Sequence, residues 1–175
     1  MNKALEIIEA KYLFDLSSSQ INAVIHPEAI MHASINYHNG TSIALLSQPD
    51  MKIPISSLFF DNFSVNVSNQ KRFKLNSKMS FIKIDKKKFR AISLCYKVLK
   101  MSGIAPHIFN YCNELLVNHF INGRIKFTDI VSYNEITLKK YFKIHKNIIK
   151  PKLNDFIHAN KWLNKNIYLG KNSSD

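Results

Sequence analysis

The chain has 175 residues, of which 46% are hydrophobic and 21% charged, proportions of a folded globular protein that exclude wholesale disorder. Its net charge of +13, from 25 Lys and Arg against 12 Asp and Glu, favours phosphate-bearing partners, although Lys with abundant Asn and Ile also reflects AT-rich coding. No stretch reaches the ~18 consecutive apolar residues of a membrane span, and Met1–Glu6 lacks the apolar segment of a secretory signal.

Residues 2–14 read as an amphipathic helix, with Leu5, Ile8 and Tyr12 at helical spacing and Asn2, Lys3, Glu6 and Glu9 on another side. Turn-formers at 15–19 end it. Residues 21–26, closed by Pro27, read as a strand. Residues 30–37 and 41–46 read as a hairpin about Asn39-Gly40, since both residues tolerate positive φ. A short helix is expected over 54–61, where Pro54 suits the first turn. Residues 62–78 are polar and irregular, and 79–84 alternate like a strand. The chain then turns helical. Asp85 can cap a helix over 87–101, and Gly103 ends it. Further helices are expected over 105–122, from 128 or 129 to 142, and over 155–169, with a basic connector at 146–152 and a polar tail from 170. The second half therefore reads as a helical bundle.

Chemistry-bearing patterns are sparse. The four glycines, Gly40, Gly103, Gly123 and Gly170, are scattered, so no glycine loop can cradle a nucleotide phosphate. Cys95 and Cys112 form no C-x-x-C and read as buried, reduced thiols. Asn2, Lys3 and Glu6 stand at i, i+1 and i+4 and project from one helix face. A carboxylate there can hold a divalent metal, and an ammonium with an amide near a helix start suits a phosphate. By spacing alone the signal is weak, and a solvated helix face with a Lys–Glu pair is the reading to prefer. His26, His32 and His38 recur in the hairpin region with neither an H-E-x-x-H motif nor a matching carboxylate triad, and a histidine before proline reads as a strand-end residue. Asn110, Asn113 and Glu114 suit a polar network within a helix. The Lys runs at 83–90 and 139–152 read as solvated surface.

Five strings nevertheless resemble one family. They are Met1-Asn2-Lys3-Ala4-Leu5-Glu6-Ile7-Ile8-Glu9-Ala10 with Leu13-Phe14, Val24-Ile25-His26-Pro27 with Ile30 and His32, and Pro49-Asp50-Met51-Lys52-Ile53-Pro54-Ile55. Asn110-Tyr111-Cys112-Asn113-Glu114 and Gly123-Arg124-Ile125-Lys126-Phe127-Thr128-Asp129-Ile130 complete the set. In order and spacing they look like the C-terminal part of the 1-deoxy-D-xylulose 5-phosphate reductoisomerases.

The resemblance implies an α+β protein: the C-terminal part of a mixed α/β catalytic domain over residues 1–84, then an α-helical bundle over 85–175. It implies a cytoplasmic oxidoreductase and isomerase of non-mevalonate isoprenoid biosynthesis. That enzyme converts 1-deoxy-D-xylulose 5-phosphate to 2-C-methyl-D-erythritol 4-phosphate with NADPH and a divalent metal (Mg²⁺, Mn²⁺ or Co²⁺). Glu6 and Lys3 are then the catalytic positions, and Glu6 is the metal ligand. Asn2, Lys3, Glu6, His26 and Met51 bind substrate, and the NADPH site lies outside this chain. A homodimer with neither membrane nor specific nucleic-acid binding is implied.

Several family features are missing. The N-terminal NADPH-binding half, two further acidic metal ligands, serine-rich phosphate contacts and a mobile lid have no counterpart here. The chain is thus expected to begin inside a catalytic domain and to be inactive by itself. Locally, Ala4 stands for a family glycine, Lys52-Ile53 for Arg-Thr, and Tyr111-Cys112 for two alanines. The competing expectation is a degenerate basic helical fragment that binds RNA nonspecifically.

Overall fold

The computed structural model describes residues 1–56, 59 and 78–170. In chain order the elements are α1 (Asn2–Leu13), β1 (Val24–Ile25), β2 (Met31–Asn36), β3 (Ser42–Leu46), α2 (Lys52–Ser56) and β4 (Ile82–Lys83). The helices α3 (Arg90–Met101), α4 (Ala105–Ile121), α5 (Asp129–Ile144) and α6 (Leu153–Asn166) follow. This is the expected α+β content, with the helices concentrated in the second half. Residues 62–77 of the irregular segment read over 62–78, residues 57, 58, 60 and 61 of the helix read over 54–61, and the tail beyond 170 lie outside the described residues.

The chain forms two compact units, Met1–Asn22 with Asp85–Asp175, and Ala23–Ile84. The sequence reading kept residues 1–84 together, whereas α1 packs on α3 in the helical unit. Small residues make that packing close. Ala4 is fully buried, Ile7 nearly so, and the Cys95 thiol donates a hydrogen bond to the Ala4 carbonyl over 3.1 Å.

α4 is the centre of the helical unit. Ile104, Ala105, Ile108, Phe109, Cys112 and Leu116 have no exposed surface, at the i, i+3, i+4 repeat that presents one face inward. Burying a side chain the size of Phe109 contributes roughly 1.5–3 kcal/mol. α3 adds Ala91, Leu94, Cys95 and Val98, and α6 adds Ala159 and Leu163. Both cysteines are free and buried, and burial pushes each thiol up to about 12.

Helix boundaries follow local hydrogen bonding. Asp85 Oδ1 accepts the Lys87 and Lys88 amides, and its carbonyl accepts the Phe89 amide. Residues 85–89 are thus a turn, and α3 begins after it rather than at 87. Asp155 Oδ2 accepts the Lys152 amide over 2.7 Å, which brings the start of α6 back to Leu153. Gly103 takes φ +58, and its α-hydrogen faces the Ile148 carbonyl so closely that no side chain fits there.

The second unit has two small antiparallel pairs. β2 and β3 form the expected hairpin, with Ser34 opposite Ala44, Ile35 opposite Ile43 and a register irregularity between Met31 and Ala33. Gly40 at φ +86 and the Asn39 side chain, which accepts the Thr41 amide, make the turn. The strands read over 21–26 and 79–84 reduce to one short pair, Val24 opposite Lys83 and Ile25 opposite Ile82.

Candidate functional site

α1 owes its polar face to what its other faces bury. At 100° per residue, Ala4 and Ile7 share the stripe against α3, and Leu5, Ile8 and Tyr12 line a groove of about 540 Å³ beside α4. Asn2, Lys3 and Glu6 are left on a third face, toward solvent. The structure brings these three together as their spacing implied. Asn2 Nδ2 donates to Glu6 Oε1 over 3.0 Å, and the Lys3 ammonium donates to Glu6 Oε2. The side chains of Lys3 and Glu6 are 57% and 43% exposed, so this charge pair is hydrated and available to a ligand.

The Glu6 carboxylate carries about four lone-pair directions, and two are engaged by Asn2 and Lys3. It therefore fits as one oxygen ligand of a hard divalent cation. Among the described residues no three His, Cys, Asp or Glu side chains converge as a metal cage. Glu6 can supply one ligand, with the others coming from substrate, water or further protein groups. Lys3 and Asn2 supply an ammonium and an amide donor on the same exposed face, the donor types that bind a phosphate.

His26 lies in the other unit and is held from three sides. Its Nδ1 is 2.8 Å from the Ser80 carbonyl oxygen and 3.1 Å from Glu28 Oε2, and its ring stacks on Phe81 at 4.9 Å. Both neighbours of Nδ1 are acceptors, which places the hydrogen on Nδ1. Nε2 is buried, with no hydrogen-bond partner among the described residues. Glu28 also accepts the Ser80 amide over 3.0 Å, and this backbone hydrogen bond holds its carboxyl below the usual carboxylate range. Sequence reasoning passed over Glu28. The signal was present: Pro27 suits the second position of a turn, and the Ala29 amide bonds back to the His26 carbonyl. That turn folds Glu28 onto His26.

Met51 is exposed and immediately precedes α2. His32 is tied to Ser47 Oγ at 2.7 Å, and His38 lies exposed beside the hairpin turn. The polar network expected among Asn110, Asn113 and Glu114 does not form among the described residues. Asn110 and Glu114 are exposed, and Asn113 Oδ1 is buried without a partner. The buried polar contact on α4 comes instead from α5, where Asn134 Nδ2 donates to the Phe109 carbonyl. Of the basic residues, Arg90 and Lys139 pair with Glu135 at 2.7 and 3.1 Å.

Comparison with known proteins bears on this arrangement. Residues 46–166 match the family described as DXP reductoisomerase C-terminal domain. The 1-deoxy-D-xylulose 5-phosphate reductoisomerase of Thermoanaerobacter pseudethanolicus is 37% identical over 92% of this chain and 42% of its own length. That of Ehrlichia canis is 41% identical over 83% of this chain and 39% of its own length. Among solved structures, a DOX-P reductoisomerase in complex with NADPH, fosmidomycin and magnesium superposes with a TM-score of 0.81 at 28% identity. It covers 94% of this chain, which spans 42% of that one. The Zymomonas mobilis reductoisomerase in complex with NADPH gives a TM-score of 0.75 at 27% identity, over 91% of this chain and 42% of its own. The chain thus spans under half the length of these relatives.

Proposed function

Since the chain belongs to the DXP reductoisomerase C-terminal domain family, we propose that it forms the substrate- and metal-facing part of a 1-deoxy-D-xylulose 5-phosphate reductoisomerase. The full enzyme would convert 1-deoxy-D-xylulose 5-phosphate to 2-C-methyl-D-erythritol 4-phosphate in non-mevalonate isoprenoid biosynthesis, as a cytoplasmic homodimer using NADPH. Residues 1–84 would serve the substrate, with α1 the part of that segment that packs on the bundle of residues 85–175.

The observation that carries this reading is the exposed Asn2, Lys3 and Glu6 face, joined by its own hydrogen bonds on a helix braced from behind. Lys3 takes the phosphosugar's phosphate as a point charge, and Asn2 adds a directional N–H. Fixing that remote dianion turns binding energy into orientation of the reacting carbons. Glu6 is one oxygen ligand for Mg²⁺, Mn²⁺ or Co²⁺; such an ion supplies Lewis-acid polarisation of the substrate's adjacent oxygens when bound. Pairing with Lys3 and Asn2 keeps the Glu6 carboxylate aimed along the same face. His26 and Met51 would border the substrate. The hydride donor NADPH would be held by residues other than these, since the scattered glycines offer it no phosphate cradle.

Calorimetric titration of 1-deoxy-D-xylulose 5-phosphate tests the reading. Mg²⁺ should tighten binding to the unsubstituted chain and leave Glu6→Gln unaffected. Equal Mg²⁺ dependence in both proteins would exclude Glu6 as a ligand. With no three-ligand metal cage among the described residues, the 175 residues assayed by themselves should show no metal-dependent NADPH oxidation.

A further inference from the structure

The string Gly123–Ile130 belongs to the family pattern but has no part in the chemistry described above. Its shape is specific. Gly123 takes φ +71, the Arg124 amide bonds back to the His119 carbonyl, and Asp129 Oδ2 accepts the Lys126 amide. The resulting turn leaves Phe127 71% exposed and drives Ile125 inward to 8%. There Ile125 joins Leu116 and Ile130 in a buried cluster, and Met1 packs on that cluster.

We propose that Ile125 and Ile130 are positioning residues for the Asn2, Lys3 and Glu6 face, acting through Met1. The proposal rests on that face being the phosphate and metal site. Among the described residues no side chain caps α1. Its first turn is closed by the Met1 carbonyl, which accepts the Ala4 amide at 2.8 Å and the Leu5 amide at 3.2 Å. Whatever holds Met1 therefore holds the turn that carries Asn2 and Lys3. One clamp is the Leu116, Ile125 and Ile130 cluster on Met1. The second, three residues on, is the contact of α3 with Ala4, where Cys95 bonds the carbonyl. Asn2 and Lys3 lie between these two fixed points. Packing at these two points holds the turn between them and limits its local opening. The Gly123–Ile130 turn is tied to the site through this clamp, because a binding group must be held to within about half an ångström to be effective.

Ile125→Ala in the full chain tests the clamp with two readouts. The first is amide exchange of Ala4 and Leu5, whose N–H groups report closure of the first turn. The second is titration with inorganic phosphate, followed at the Asn2 and Lys3 resonances. Exchange at Ala4 and Leu5 should rise against that of α3 amides, and phosphate affinity should fall by about tenfold. Ile125→Val should recover most of both. If Ile125→Ala does not fold, Ile125→Val should still shift both in the same direction. Leu163→Ala, a truncation elsewhere in the core, should lower stability and leave both readouts as in the unsubstituted chain. Unchanged exchange in the Ile125 variants, or an equal effect of Leu163→Ala, would overturn the clamp. Faster exchange with no phosphate response in the unsubstituted chain would uphold the clamp and overturn the assignment of the face.

Discussion

Replacing Lys3 with Met separates binding from folding. The substitution keeps the apolar stem and removes the charge. For stability, two small effects oppose. An i, i+3 ion pair on a hydrated helix face contributes about 0.2–0.5 kcal/mol, and Lys3 and Glu6 are 57% and 43% exposed, which weakens it further. A cation in the first turn also opposes the helix dipole, at roughly 0.3–1 kcal/mol. The net change is therefore within about 0.5 kcal/mol, of either sign. Glu6 loses a partner but remains hydrated, so no buried charge is left. For binding, a charge-assisted hydrogen bond to phosphate is worth about 1.5–3 kcal/mol, or roughly 10–150-fold in affinity. Thermal unfolding should be almost unmoved, while phosphate and phosphosugar titrations weaken by at least tenfold. Unaltered ligand affinity, or a stability loss well above 1 kcal/mol, would refute this reasoning.

Other parts of the account are as exposed to test. Gly103→Ala should destabilise the helical unit by about 2–4 kcal/mol in denaturant unfolding, since the new Cβ meets the Ile148 carbonyl at a positive φ. Cys95 and Cys112, buried and pushed up to about 12, should resist a thiol reagent at mildly alkaline pH and react only as fast as the fold opens. The Glu28 carboxyl is held below its ordinary value of 4.5 by the Ser80 amide, so its folded form favours the charged state. Its contribution is complete above that ordinary value and is lost as the pH falls through the lower folded one. Exchange of the Ser80 amide should quicken over that acid range, and Glu28→Gln should abolish the pH dependence.

The helices were legible because a buried stripe repeats every three to four residues, as Ala91, Leu94, Cys95 and Val98 do on α3. Their starts were less so, because the turn at Asp85 and the Asp155 cap decide them through hydrogen bonds that periodicity does not see. The hairpin was legible because Asn39-Gly40 specifies a turn chemically. The strands at 21–26 and 79–84 were overextended. Only the two residues that find partners from across the chain pair, and no local pattern states where those partners are. The Asn2, Lys3 and Glu6 face could be drawn from helical spacing alone, although spacing could not separate it from an ordinary charged surface. The placing of α1 on α3 could not be drawn, because the bond from Cys95 to Ala4 joins residues far apart in sequence. Glu28 was missed for a related reason: its importance lies in a turn that returns it to His26.

Paramagnetic mapping with Mn²⁺ tests the central claim most directly. Manganese titrated into the isotope-labelled chain with the phosphosugar present should broaden the resonances of Asn2, Lys3 and Glu6 first, and Glu6→Gln should remove that broadening. Broadening centred instead on another carboxylate, such as Asp129 or Asp155, with residues 2–6 untouched, would contradict it.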